Sequence, residues 1–390
     1  MTEGRLHLDG VMKADDLESL RRSESLRHAG LTLEQTRAVL DLADGTATAR
    51  AAGQPRDSWW SRRAAEQASH PQVARWRARR FDALVVTDLT AGCGGDAIAL
   101  TEVAAAVLAV EHDPARVQLL RHNLPTSALV VHGDAMAAPV RPDAWWADPG
   151  RRVDGRRLKR LRDGIPSLPA LVERFGNRAA GIAVSPGVAL DDPDLPAAAE
   201  LEFVQVGQRL VEASVWLGGL RERGPGGGEE GLVSRSATLL PAGLHVRGEA
   251  ASELLPVGEV GSYLLEPAPA LVRARLHEVV GEGIGARRLA PRRAMLTGDA
   301  ATDSPWFTSW VVEAVLPAHV KSVRRHLQEL GDATPLEISL HGMDIDVDRW
   351  VRGVGAPRGP QGRHLHVLRV GGGGIAVLTR RVPRPPSGAR

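Results

Sequence analysis

From Ala83 to Val184 short apolar runs alternate with helical segments, and this rhythm limits the folds open to the chain more than any other feature. Runs at 83–88, 106–111, 128–132, 143–147 and 179–184 read as strands, and 96–104, 114–123 and 168–176 fit helices between them. Such alternation predicts an α/β fold with a parallel, doubly wound sheet. ALVVTDL and AVLAVE are almost wholly apolar, as strands covered on both faces must be.

The flanks differ. Residues 13–49 and 57–80 read as helical, with Thr32 and Gln35 spaced as a capping box. After 201 the rhythm becomes strand-strand: LEFVQV and LVEASVWLG flank a turn at Gly207-Gln208 and predict an antiparallel edge. GPGGGEEG at 224–231 reads as a flexible loop, and SRSATLL resumes as a strand. In 267–380, VVEAVLP and VKSVRRHLQELG are expected as helices. LEISLHG, HLHVLRV and GIAVLTRR are expected as strands, the last two joined through Gly371–Gly374. The expected domains are an N-terminal helical domain at 1–80, a Rossmann-like domain at 81–265 and an α+β lobe at 266–382, with a disordered tail at 383–390.

Composition excludes several classes. Cys93 is the single cysteine, so neither a disulfide framework nor a cysteine-rich metal site is available. The thirteen histidines show no H-x-x-x-H spacing, and no metal is expected. His364 and His366 alternate in a strand, share one face and are expected as an exposed pair. No apolar run reaches about 18 residues, so no membrane span is expected. MTEGRLHLDG lacks the pattern of a secretory signal, and the expected compartment is the cytoplasm. A net charge of +2 gives no global attraction to nucleic acid, but arginine clusters locally. Positions 50, 56, 62, 63, 75, 77, 79 and 80 are arginine, against Asp57 and Glu66. RRVDGRRLKRLR at 151–162 is a second cluster.

TDLTAGCGGDAIAL follows a predicted strand and opens a helix. Its glycines permit a tight turn and close approach of a ligand, and the helix start suits a carboxylate or phosphate. A plain turn, a dinucleotide site and an S-adenosylmethionine site all fit such a loop. No Gly-Lys-Ser/Thr ending follows, which excludes a P-loop, and the third glycine of the dinucleotide fingerprint is missing. Acidic residues close successive strands: Asp88, Glu111, Asp134 and Asp148. They belong to the carboxyl edge, where α/β sheets bind ligands. Asp113 before Pro114 reads as a helix cap, and Trp145 and Trp146 read as core.

The order D-L-x-x-G-x-G-G-D, V-E-H-D-P, G-D, D-P resembles class I S-adenosylmethionine-dependent methyltransferases, nearest to the trimethylguanosine-synthase-like branch. The whole chain resembles a bacterial family that adds a C-terminal THUMP-like domain, and Asp148-Pro149-Gly150-Arg151-Arg152 matches that family's D-P-x-R-R. The resemblance implies S-adenosyl-L-methionine as cofactor. Gly92 and Gly94 would face its methionine part, Asp88 its ammonium, Glu111 its ribose hydroxyls and Asp134 its adenine amino group. Asp148 and Pro149 would accept hydrogen bonds from a target amino group, as in related amino-methyltransferases. Gly150 and Arg151 replace the second proline and the stacking aromatic of those enzymes. Arg151, Arg152, Arg156 and Arg157 are expected to bind substrate as part of a polyanion track. The THUMP-like lobe resembles a domain thought to present RNA, so RNA is the expected partner. At Leu336–Gly342, a strand that tends to be basic in relatives, this chain has Ser339 and His341. A small-molecule methyltransferase and a catalytically silent RNA-binding protein are the alternatives.

Overall fold

The computed structural model describes residues 23–137, 142–150, 152–153, 156–157, 160–222, 234–249, 254–291, 293–331, 336–342, 346–355, 362–370 and 372–383. The expected helix before residue 23, the loop at 224–231, Gly371 and the tail from 384 lie outside these. The chain forms two compact units, Met1–Gly207 with Val211–Val233 and Leu240–Gly243, and Gln208–Leu210 with Ser234–Leu239 and Leu244–Arg390.

The first unit begins with helices α1 (Ser23–His28), α2 (Leu33–Ala51), α3 (Arg62–Gln67) and α4 (Pro71–Ala78). The Thr32–Gln35 capping box forms at the start of α2. The helix expected over 57–80 resolves into two short helices and a 3₁₀ turn at Arg79–Phe81. Pro71 disfavours helical backbone at His70 and starts a new helix instead. The boundary expected at 80/81 does not separate compact units. Trp60 packs with Cys93, and Ala74, Ala78 and Phe81 pack with Trp146.

The central sheet follows: β1 (Val85–Asp88), α5 (Gly95–Thr101), β2 (Ala106–Glu111), α6 (Pro114–Asn123), β3 (Leu129–His132) and β4 (Ala144–Ala147). Next come the two-residue strands β5 (Arg152–Val153) and β6 (Arg156–Arg157), then α7 (Leu168–Phe175), β7 (Ala179–Val184), β8 (Glu200–Val206) and β9 (Arg209–Gly218). The strands lie in the order β8-β9-β7-β4-β1-β2-β3. Pairings from β3 to β7 are parallel, and β9 joins β7 antiparallel. Asp113 caps α6 by accepting the Ala115 and Arg116 amides, with Pro114 at the first helical position. Trp145 and Trp146 are both 1% exposed, as their place in a sheet covered on both faces requires.

The second unit holds β10 (Ser234–Leu240) and β11 (Leu244–Gly248), which pair antiparallel. They precede β12 (Tyr263–Pro267), α8 (Pro269–Arg273), α9 (His277–Glu282), β13 (Arg287–Arg288) and β14 (Leu296–Gly298). Then come β15 (Phe307–Pro317), α10 (Val320–Glu329), β16 (Leu336–His341), α11 (Val347–Val354), β17 (Arg363–Val370) and β18 (Gly373–Arg381). Strands from β12 onward form a sheet in the order β13-β14-β12-β15-β18-β17-β16. VVEAVLP, expected as a helix, is the end of the eleven-residue strand β15. Its pairing with β12 ends at Val311, so the ladder with β18 holds the rest of it extended, and its residues alternate in exposure. Val323, Trp350 and Val354 of α10 and α11 pack with Leu365, Val367, Ala376 and Leu378 of the sheet.

Candidate active site

Three loops at the carboxyl edge of the first unit's sheet carry the expected residues. Gly92 adopts φ +58, and a side chain there would meet nothing within 4 Å, so its open face admits a ligand. Gly94 adopts φ +102, and a Cβ would come within 3.2 Å of Leu120 Cδ1. Here glycine serves both the turn and the packing of α6.

Asp88 is 1% exposed. Its Oδ1 accepts the Thr90 amide at 3.1 Å, while Oδ2 is buried with no hydrogen-bond partner. Burial, then the charges of Asp96 and Asp148, push its carboxyl pKa well above the usual range. Glu111 is 4% exposed. Its Oε2 accepts the Gly92 amide and its Oε1 the Asp113 amide, each at 2.8 Å, so two fixed donors orient the carboxylate. The residues fit the cofactor that the sequence implies. The orphaned Asp88 oxygen suits an ammonium, the oriented Glu111 oxygens suit a diol, and the open face of Gly92 leaves room between them.

Asp134 is exposed, and its Oδ1 accepts the Met136 amide at 2.9 Å in an Asx turn. Cys93 is buried in apolar surroundings, which pushes its thiol up to about 12 and leaves it inert at neutral pH.

Asp148 and Pro149 follow β4, and the Asp148 amide donates to Thr90 Oγ1 at 2.7 Å. Thr90 therefore ties the loop after β1 to the loop after β4. Gly150 and Ile165 exchange backbone hydrogen bonds at 2.9 and 3.1 Å. A pocket at the ends of β4 and β7 is lined by Pro149, Leu161, Leu168, Ile182, Ser185 and Val188. Arg151 lies outside the described residues, and for Arg152, Arg156 and Arg157 only the backbone of β5 and β6 lies within them. Further along, Arg160 is exposed at the pocket rim, and Arg162 forms a bidentate pair with Asp194 at 2.6 and 2.8 Å.

Three arginines of the 50–80 cluster are held by carboxylates. Arg77 is 2% exposed and pairs with Asp96 and Glu212. Arg80 pairs with Glu200 at 2.7 Å and Glu202 at 3.2 Å, and Arg75 pairs with Glu102 at 3.2 Å. These carboxylates come from α5, the residue just after it, β8 and β9, far along the chain, so local sequence could not reveal the pairing. Arg77, Asp96, Ser69 and Thr90 are the residues that sequence reasoning missed. Ser69 Oγ donates to Asp96 Oδ2 at 3.1 Å, as does Trp146 Nε1.

In the second unit, His364 and His366 are 7% and 0% exposed, which overturns the expected exposed pair. Their rings stack at 4.2 Å and pack against Trp310, which covers them.

The family described as THUMP domain-like matches residues 307–381. Two uncharacterized S-adenosylmethionine-dependent methyltransferases, from two strains of Mycobacterium tuberculosis, are each 31% identical over 83% of this chain and 87% of their own length. A crystal structure from Porphyromonas gingivalis W83, a methyltransferase by name, shares the fold with a TM-score of 0.75. It is 20% identical and covers 96% of this chain and 100% of that one. Among the described residues no helix is long and apolar enough to cross a membrane. The glycine loop, the oriented Glu111 and these relatives agree, and the chain belongs to the S-adenosylmethionine-dependent methyltransferases that carry a C-terminal THUMP-like domain.

Proposed function

We propose that this methyltransferase acts on a nucleobase amino group in RNA. The observation that carries the reading is the Thr90 bridge, whose amide meets Asp88 and whose hydroxyl meets the Asp148 amide. It joins the residues proposed for the donor to those proposed for the acceptor. When bound, the cofactor supplies a methyl group on a sulfonium, already activated for in-line displacement. The chain's remaining task is to position the nucleophile and exclude water. In this reading the Asp148 carboxylate and the Pro149 carbonyl accept the amino N–H groups, which aims the nitrogen lone pair at the methyl carbon. Pro149 is buried, and its side of the pocket is lined by Leu161, Ile182 and Val188, which keeps water away from that nitrogen. Asp134, with one oxygen in its turn, is proposed to take the adenine amino group with the other.

Two observations support RNA. The first is the THUMP-like match at 307–381, since the domain it resembles is thought to present RNA. The second is a group of arginines in the second unit. Burial, then the neighbouring Arg275 charge, push the pKa of Arg235 and of Arg273 down, and Arg235 Nη1 is buried without a hydrogen-bond partner. A phosphate there would relieve the repulsion and satisfy the guanidinium. The arginines at 151, 152, 156 and 157 are proposed as further substrate contacts.

The test is mass spectrometry of modified nucleosides from cells with the protein, without it, and with Asp148→Ala. A methylated base present only with the parent chain is expected. Asp148→Ala should abolish transfer while S-adenosylhomocysteine affinity is largely kept, because Asp148 addresses the acceptor. Near-normal turnover in that variant would remove Asp148 from the acceptor site.

A further inference from the structure

Arg77 comes from α4 of the N-terminal segment, yet it lies among the carboxylates of the methyltransferase site. Its side chain is 2% exposed and pairs with Asp96 and Glu212. Its Nη2 also donates to Ser69 Oγ at 2.9 Å, and the guanidinium lies 4.3 Å from the Trp146 ring centroid. Trp146 is the residue of β4 that pairs in register with Asp88 of β1. Arg77 is therefore stacked on the strand neighbour of Asp88.

The charges that face Asp88 are those of Asp96 from α5, Asp148 from the end of β4 and Arg77 from α4. Glu212 of β9 faces Arg77, and Glu111 of β2 is held by the Gly92 and Asp113 amides. Four carboxylates, Asp88, Asp96, Asp148 and Glu212, thus surround one buried guanidinium. Burial disfavours the charge of Arg77, but Asp96 and Glu212 outweigh it and hold the guanidinium firmly protonated.

We infer that Arg77 is a positioning residue for cofactor capture: it keeps Asp88 able to ionise beside Asp96 and Asp148, and so couples docking of the cofactor's ammonium to release of a proton from Asp88. Burial and two like charges oppose the Asp88 anion and favour its protonated form. An arriving ammonium favours the anion, the proton passes to solvent, and the ammonium pairs with Oδ2. Affinity then rises with pH through the raised Asp88 pKa. Without Arg77 the anion loses its attractive neighbour, and the rise moves to higher pH. The inference rests on the cofactor and not on the RNA reading, so either can fail alone.

The test is calorimetry of S-adenosylhomocysteine on the full chain from about pH 5.5 to 8.5, in buffers of different ionisation heat. For the parent, proton release and affinity rising with pH are expected. Arg77→Met should shift the profile upward by about one pH unit, a loss of about tenfold on the low-pH side that narrows at high pH. Arg77→Lys, which keeps the charge, should retain the parent profile even where it costs stability. Methylthioadenosine lacks the ammonium, so its binding should be flat with pH and unchanged by Arg77→Met. Should Arg77→Met fail to fold, the Arg77→Met, Asp96→Asn, Glu212→Gln triple variant neutralises both carboxylates left unpaired, and its profile should return to the parent's pH or below. Equal loss for both ligands at every pH, or parent binding without proton release, would overturn the assignment.

Discussion

Glu111 ends β2 and Asp148 follows β4, and their surroundings differ. The two oxygens of Glu111 are fixed by the Gly92 and Asp113 amides, so its remaining acceptor capacity is oriented before any ligand arrives. Glu111→Ala should remove a charge-assisted hydrogen bond worth about 1.5–3 kcal/mol, a loss of roughly tenfold to a hundredfold in S-adenosylhomocysteine affinity by calorimetry. An unchanged affinity would exclude Glu111 from the ribose contact. Such residues are legible in the sequence because their position at strand ends is itself the signal. Arg77 is not, since nothing in a run of arginines tells which one meets Asp96 and Glu212 after folding. A buried guanidinium between carboxylates is created by the fold, and composition reads it as one more surface charge.

Strands covered on both faces and helices with caps are legible in the amino-acid sequence alone. β2 and β7 follow the apolar runs AVLAVE and AAGIAV, and α6 starts at Pro114 behind its Asp113 cap. VVEAVLP misleads because its apolar residues suit a short amphipathic helix as well as a strand. Only its pairing with β18 decides between them. α11 is short but carries a helical signal, since Val347, Trp350, Val351 and Val354 stand at i, i+3, i+4 and i+7. The centre of the sheet makes a sharper demand. A Cβ at Gly181 in β7 would lie 2.5 Å from Trp216 Cζ3 and 2.8 Å from Trp146 Cε3. Both rings are buried, at 0% and 1% exposure, and cannot swing aside. Gly181→Ala should therefore destabilise the first unit by about 1–3 kcal/mol through overpacking. A urea titration followed by tryptophan fluorescence measures this, and an unchanged midpoint would mean that the rings yield at no cost.

Buried groups in the two units respond to acid in opposite directions. In the first, the raised Asp88 pKa means that the native state keeps a proton which the unfolded chain gives up above about pH 3.9, so acidification through that window favours folding. In the second, burial pushes His341, His364 and His366 down, with further lowering of His341 and His366 by neighbouring histidines. His366 is pushed down to about 2 and is 0% exposed. Its Nδ1 lies 3.2 Å from His341 Nε2, and His364 Nε2 lies 2.9 Å from Ser339 Oγ, so the rings are held as neutral partners. Below about pH 6.5 the unfolded chain binds protons that these native rings refuse, and stability falls by about 1.4 kcal/mol per pH unit for each fully depressed histidine. The loss continues down to the native pKa. Urea titrations at about pH 7.5 and pH 5, each read by a hydrogen-exchange pulse at one common labelling pH, separate the units. Peptides from β16 to β18 should lose protection at markedly lower urea at the acid pH, while peptides from β1 and β4 shift less. His366→Gln destabilises at both pH values but removes one titrating ring, so the gap between the two pH values should narrow in those C-terminal peptides. An equal gap in parent and variant would show that the buried histidines do not govern the acid response of this unit.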